Sequence, residues 1–347
     1  MMDIPKGPKS TLVRKFQEEE ASPASPHEEN SSPTNNGSTG KLTSTIQLAR
    51  PFLTRNQIIH AHSKNVENQV AFDQRRSQVF SFLMKASSSL KFPARVLETS
   101  MYYYQRYYIL NRFDINTYLD VAVTCLFVAS KNEDTIKKLR DILALTNQLR
   151  SQTLSSEQSE IYRKKILNFE SKLLETISFD FRNFHSEEFL IKFNKVLHKS
   201  KSDSYLSWLI LFDSYQTEIS LKLPPHVIAL SSIILASKLE DHRASFKVDF
   251  KKFGCDEKLV NEGLLDLLSL YINSFNNTNL SVTHNDYEIR FMRIKVEFDE
   301  SKPGFIKDIE STVLNKDEFF NQRDFSNGER RYMLESQKKR LYSEIGK

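Results

Sequence analysis

The chain has 347 residues, enough for two domains of ordinary size, but only 39% of them are hydrophobic, so part of it is expected to pack nothing. Its 49 basic and 44 acidic residues leave a net charge of +5, which permits an acidic partner without demanding nucleic acid. Two cysteines, Cys125 and Cys255, form no metal or redox spacing, no N-terminal apolar signal is visible, and no apolar run approaches the ~20 residues of a membrane span, so an intracellular, reduced, soluble protein is expected.

Residues 1–45 are rich in Ser, Pro, Asn, Glu and Lys and hold too few apolar groups to offset chain entropy, so a disordered arm is expected. The arm carries three Ser-Pro dipeptides, at Ser22, Ser25 and Ser32, open to proline-directed phosphorylation. Helical periodicity begins after Arg50-Pro-Phe-Leu53, with a helix near 54–68 and a second near 70–90 that puts Val79, Phe80, Leu83 and Leu90 on one face. A third starts at Phe92-Pro-Ala-Arg and runs to about Asn111. A fourth, 116–131, is apolar all round, as a helix enclosed by others must be. Asp134 or Thr135 is the expected N-cap of a fifth helix reaching Arg150, and a polar loop, 151–157, leads to a sixth at about 159–177.

The pattern then recurs. Ala129-Ser-Lys131 and Ala236-Ser-Lys238 lie 107 residues apart, and each closes an apolar helix and precedes acidic residues. That separation fits two copies of a five-helix unit, the second drawing on helices near 185–198, 203–219, 225–239 and 257–275. From Tyr287 to Phe298 the period is ambiguous between strand and helix. All eight glycines lie outside 41–253, and Pro51, Pro93, Pro224 and Pro225 stand where helices begin. A span without glycine lacks both the hairpin turns of a β domain and the loop that cradles phosphate. The expected fold class is therefore all-α, and a phosphotransferase in its own right is not expected.

Glu170 stands out on the sixth helix. Ile166, Leu173, Leu174 and Ile177 lie at −4, +3, +4 and +7 from it, so a carboxylate shares an apolar stripe and needs a cation unless it sits at the stripe's edge in water. Lys131, at the C-terminus of the most apolar helix, is the candidate. Other features have plainer readings. Tyr102-Tyr-Tyr-Gln-Arg-Tyr-Tyr108 has aromatic content for base stacking, but at helical spacing its rings point around the axis and read as packing. His60 and His62 diverge on a helix and share no metal, and no cofactor site is visible. Lys137-Lys138, Arg163-Lys-Lys165 and Lys338-Lys-Arg340 read as solvated faces, the last with a weak nuclear-import character.

Leu126-Phe-Val-Ala-Ser-Lys-Asn-Glu-Asp134, followed by Glu170 nine residues before Phe179-Asp-Phe181, is similar to the cyclin box, and residues 224–241 resemble its second copy. Arg50-Pro-Phe-Leu-Thr54, Tyr104-Gln-Arg-Tyr107, Glu133-Asp-Thr-Ile-Lys-Lys138, Tyr271-Ile-Asn-Ser-Phe275 and Glu329-Arg-Arg-Tyr332 bring the resemblance to the transcriptional cyclins of the C, K and T type, and among them to the cyclin subunits of fungal kinases acting on the RNA polymerase II C-terminal domain. The Met-Arg-x-x-Leu docking patch of cell-cycle cyclins is replaced by Arg75-Arg-Ser-Gln-Val. The resemblance implies two tandem five-helix cyclin boxes behind an N-terminal helix: a disordered arm over 1–49, helix and first box over 50–182, second box over 183–276, and a C-terminal extension over 277–347.

It further implies a non-catalytic subunit in which Lys131 and Glu170 help hold the regulatory helix of a cyclin-dependent kinase. The expected partners are that kinase, a third non-catalytic subunit and, indirectly, the polymerase tail, with no direct nucleic acid and no membrane. The expected place is the nucleus, with the cytoplasm as a second compartment. Two rivals keep the fold: a transcription factor IIB-like protein that binds DNA and polymerase, disfavoured because residues 1–45 contain no cysteine for a zinc ribbon, and a cyclin-fold scaffold that activates nothing.

Overall fold

The computed structural model describes residues 52–182, 185–240 and 248–310, and every regular element among them is helical. The arm with its Ser-Pro sites, Pro51, Glu329-Arg-Arg-Tyr332 and Lys338-Lys-Arg340 lie outside the described residues. The first group of helices is α1 (Arg55–Asn65), α2 (Gln69–Ser89), α3 (Ala94–Leu110), α4 (Tyr118–Asn132), α5 (Leu139–Leu149) and α6 (Ser156–Thr176). The second is α7 (Ser186–Val196), α8 (Lys201–Ser214), α9 (Ile219–Lys222), α10 (Pro225–Leu239), α11 (Glu257–Ser274), α12 (Asn279–Thr283), α13 (Glu288–Ser301) and α14 (Phe305–Glu310).

Each group is built around its most apolar helix. Val121 to Ser130 of α4 are all buried, and α2, α3, α5 and α6 pack around them. In α10 the same position is taken by Val227 to Ser237, surrounded by α7, α8, α11 and α13. The segment of ambiguous period is thus a helix, α13, whose Phe291, Ile294 and Phe298 are buried; Phe291 stacks on Tyr271 of α11 at 4.3 Å. Tandem five-helix bundles, the expected architecture, are what the chain forms.

Local chemistry explains where the helices start. Thr54 and Ser155 make capping boxes with Gln57 and Gln158, Asn68 and Ser200 cap α2 and α8, and Pro93 and Pro224 precede the first turns of α3 and α10. The fifth helix departs from expectation: it begins at Leu139, after Lys138, rather than at Asp134 or Thr135. Asp134 has φ 52° and ends α4 instead, with the Thr135 N–H donating back to the Ser130 carbonyl at 2.9 Å. The groups expected to open α5 are spent closing α4.

α1 is a strap across both bundles. Ile58 and Ala61 pack with Ile109 and Leu110 of α3, while the Leu53 N–H donates to Leu221 of the second bundle at 2.8 Å. Arg55 pairs with Asp266 of α11 at 2.7 Å. Arg76 of α2 reaches Glu218, just before α9, at 2.6 Å, and His62 of α1 meets the same carboxylate at 3.4 Å. Burial would raise the Glu218 carboxyl, but the surrounding positive charge, Arg76 first, holds it below its usual range.

Candidate functional site

Lys131 occupies the last turn of α4, where the helix dipole favours a cation, and its ammonium lies 4.0 Å from the centre of the Phe127 ring. The same nitrogen donates to Glu170 Oε1 at 2.7 Å, so α4 and α6 bring together the two residues that the sequence singled out. Ile166, Leu173 and Ile177 around Glu170 are buried and Leu174 is half-buried, which places the carboxylate on the border of the apolar stripe. The Glu170 side chain is 15% exposed and that of Lys131 43%, so the pair opens to solvent on one side. A pair so placed adds about 0–1 kcal/mol to folding. The fold does not depend on it.

Apolar groups also stand exposed where the chain leaves these two helices. Ile136, in the extended segment after α4, is 70% exposed; Phe179 and Phe181, after α6, are 49% and 44% exposed. Phe179 also has φ 54°, a left-handed conformation that costs a bulky residue about 1–3 kcal/mol. The sequence showed Phe179-Asp-Phe181 as a closing motif; neither its backbone strain nor its exposure has a sequence signal.

A second cluster was not foreseen. His185, between the bundles, places Nδ1 2.7 Å from Glu98 of α3 and Nε2 3.0 Å from Glu133 at the end of α4. Burial alone would lower the imidazole, but hydrogen bonds to both carboxylates raise it to about 10, so both ring nitrogens donate from an imidazolium. Glu133 also accepts from Thr99 Oγ1 at 2.7 Å; against the upward push of burial, His185 and Thr99 hold it below its usual value. The cluster pins the inter-bundle link to the first bundle. Its members are 87 and 52 residues apart in sequence, which is why spacing could not find it.

The remaining sequence candidates are structural. Tyr103, Tyr104, Tyr107 and Tyr108 are buried, with edge-to-face contacts such as Tyr104–Tyr108 at 5.0 Å, so no stacking platform for bases is presented. His62 packs on Phe72 and Glu218 rather than toward His60. Among the described residues no three His, Cys, Asp or Glu side chains are grouped to hold a metal ion, and no helix is long and apolar enough to cross a membrane. Asp120, Arg150, Lys165 and Tyr162 form a cross-brace among α4, α5 and α6, with contacts of 2.7–2.9 Å, all of it internal.

Comparison with known proteins agrees with this fold. Residues 49–182 match the family model described as the N-terminal domain of cyclins. The chain is 33% identical over 302 residues to CTD kinase subunit beta of Saccharomyces cerevisiae, across 84% of this chain and 93% of that protein. It is 32% identical to CTD kinase subunit beta of Schizosaccharomyces pombe over 236 residues, 65% of this chain and 69% of the relative. Among solved structures, a chain of the yeast RNA polymerase II CTD kinase CTDK-1 complex superposes with a TM-score of 0.72 at 32% identity, covering 86% of this chain and 99% of that one. With two helical bundles each wrapped around an Ala-Ser-Lys helix, and with this degree of likeness along nearly the whole of a relative, the chain belongs to the cyclin family.

Proposed function

We propose that this chain is the regulatory, non-catalytic cyclin subunit of a nuclear kinase that phosphorylates the RNA polymerase II C-terminal domain in support of elongation. The observation that carries the reading is the Lys131–Glu170 pair, held at 2.7 Å and open to solvent on one side, in a chain similar along most of its length to CTD kinase beta subunits. An ammonium has three donors and a carboxylate two oxygens, so the mutual bond leaves capacity on both for backbone groups of a partner helix. Ile136, Phe179 and Phe181, exposed where the chain leaves α4 and α6, are the apolar anchors offered to the same partner.

Docking the kinase's regulatory helix here would fix that enzyme's own Lys–Glu pair and activation loop in the active arrangement. Phosphoryl transfer would then be carried out by the kinase. In this reading the first box spans 50–182, the second, expected over 183–276, runs past that bound to take α13 as its fifth helix, and a third non-catalytic subunit completes the assembly. The test is a phosphorylation assay on a polymerase-tail peptide with the kinase alone and with the chain added. Activity that rises by about tenfold or more, as expected when the kinase's regulatory helix and activation loop are brought into place, supports the reading. Activity unchanged at saturating chain would overturn it in favour of a scaffold.

A further inference from the structure

Between the two boxes, beside the His185 linker, lies a cleft of about 400 Å³ on which none of the proposed kinase contacts fall. Its walls are the rings of Phe52, Tyr102 and Phe189 and the pyrrolidines of Pro224 and Pro225. Phe189 also meets His226 at 5.8 Å, which extends the aromatic wall along the start of α10. The ionisable groups that line it are largely spoken for. Glu98 is bonded to His185 at 2.7 Å, and Asp180 takes both a side-chain and a backbone bond from Arg182, the shorter at 2.7 Å.

A concave surface of aromatic rings and prolines, with its charges already paired, matches a specific kind of ligand. Aromatic grooves bind the preformed, low-entropy polyproline II helix, and a wall made mainly of rings and prolines favours an uncharged peptide over a strongly charged one. We infer that this cleft is a docking site for an uncharged, proline- and hydroxyl-rich extended peptide. Granting the proposed function, such a peptide is the unphosphorylated repeat Tyr-Ser-Pro-Thr-Ser-Pro-Ser of the substrate itself. The cleft would then hold one stretch of tail while another is phosphorylated on the kinase. Tethering of that kind raises the effective concentration of substrate without altering chemistry.

Two measurements test this, using the full chain. The first is fluorescence anisotropy of a dye-labelled peptide of four repeats against the chain alone, wild type and Ser220→Trp. Ser220 lines the cleft and is half-buried, so an indole there fills the space from its rim. Wild type should bind, Ser220→Trp should bind at least about tenfold more weakly, a difference near 1.4 kcal/mol, and peptide phosphorylated on its serines should bind no more tightly. Absence of wild-type binding, equal binding by Ser220→Trp, or tighter binding of the phosphorylated peptide would each overturn the inference, whether or not any kinase activity is found.

The second is steady-state kinetics of the assembled kinase on a tail of about twelve repeats, up to roughly 250 Å long when extended, and on a two-repeat peptide. Phe52→Ala and Ser220→Trp should raise KM for the long tail several-fold and leave kcat, and both constants for the short peptide, unchanged. Equal effects on both substrates would point to the fold or the kinase interface instead and would contradict docking. Activation that is intact with no change in long-tail KM defeats the docking inference while the proposed function stands.

Discussion

Glu170 and Lys131, the charge pair proposed to meet the kinase, are placed so that they contribute little to folding. Their bond is direct, at 2.7 Å, and the Lys131 ammonium both opens to water and rests on Phe127, so removing the Glu170 charge leaves no uncompensated buried ion. Glu170→Lys is therefore expected to change unfolding free energy by no more than about 1 kcal/mol in a urea titration. Affinity for the kinase should fall by about tenfold or more, as expected when one member of an interfacial charge pair is inverted. A loss of folding stability in proportion to the loss of binding would show that the pair is structural. Glu170 was legible because helical period puts its neighbours on one face, and a charge among them is conspicuous. Its partner, 39 residues away, was legible only through the helix dipole and the family resemblance. His185 was not legible at all, since nothing local in His185-Ser-Glu signals two carboxylates brought from α3 and α4.

At the scale of elements, the glycine-free span has a consequence for helix ends. Lys91, Asp134, Ser151, Ser178 and His198 have φ between 50° and 56° and each closes a helix where glycine is usual. The following N–H donates across the turn each time, as from Phe92 to Ser87 and from Gln152 to Asn147, both at 2.9 Å. The backbone thus pays conformational energy at several termini. Lys91→Gly and Ser151→Gly should each raise stability by about 0.5–1 kcal/mol, read as a higher urea midpoint at unchanged slope. A lower midpoint would mean that the side chains contribute more than their strain costs. Phe179→Gly should likewise not destabilise the chain but, if the proposed function holds, should weaken kinase activation, because it removes an exposed ring carried on a strained backbone.

Among the described residues the long helices were readable from period, but the short α9, α12 and α14 were not, and the helix expected over 203–219 stops at Ser214. The failures have physical causes: α5 starts late because Asp134 and Thr135 serve the end of α4, and α13 was ambiguous because alternating residues from Tyr287 to Phe298 satisfy two periods until α11 supplies a surface to bury one of them.

In the whole molecule, the two boxes are joined by the α1 strap, by Arg76 on Glu218, and by His185 held between Glu98 and Glu133. The last contact makes stability depend on pH in a definite direction. His185 has an ordinary value of 6.5 and rises to about 10 in the fold, so its contribution is complete below 6.5 and is lost as pH climbs toward 10. Glu133, lowered from 4.5, contributes above that value and is lost on acidification through its folded pKa. Stability from this cluster is therefore flat between roughly 4.5 and 6.5 and declines on the alkaline side. Thermal melts of His185→Gln should show a lower Tm at pH 6 and a shallower alkaline decline than wild type. Parallel curves for the two proteins would show that the imidazolium is not what joins the boxes.

The central claim, that Lys131 and Glu170 face a kinase rather than merely tie α4 to α6, is tested most directly by exchanging them. Kinase affinity would be measured for wild type, for Lys131→Glu and Glu170→Lys singly, and for the double exchange, which restores the internal ion pair with its polarity reversed. A partner helix reads the polarity, so the account predicts that both single variants and the double variant bind about tenfold or more weakly. Recovery of wild-type affinity in the double variant would contradict it and reduce the pair to a brace within the first box.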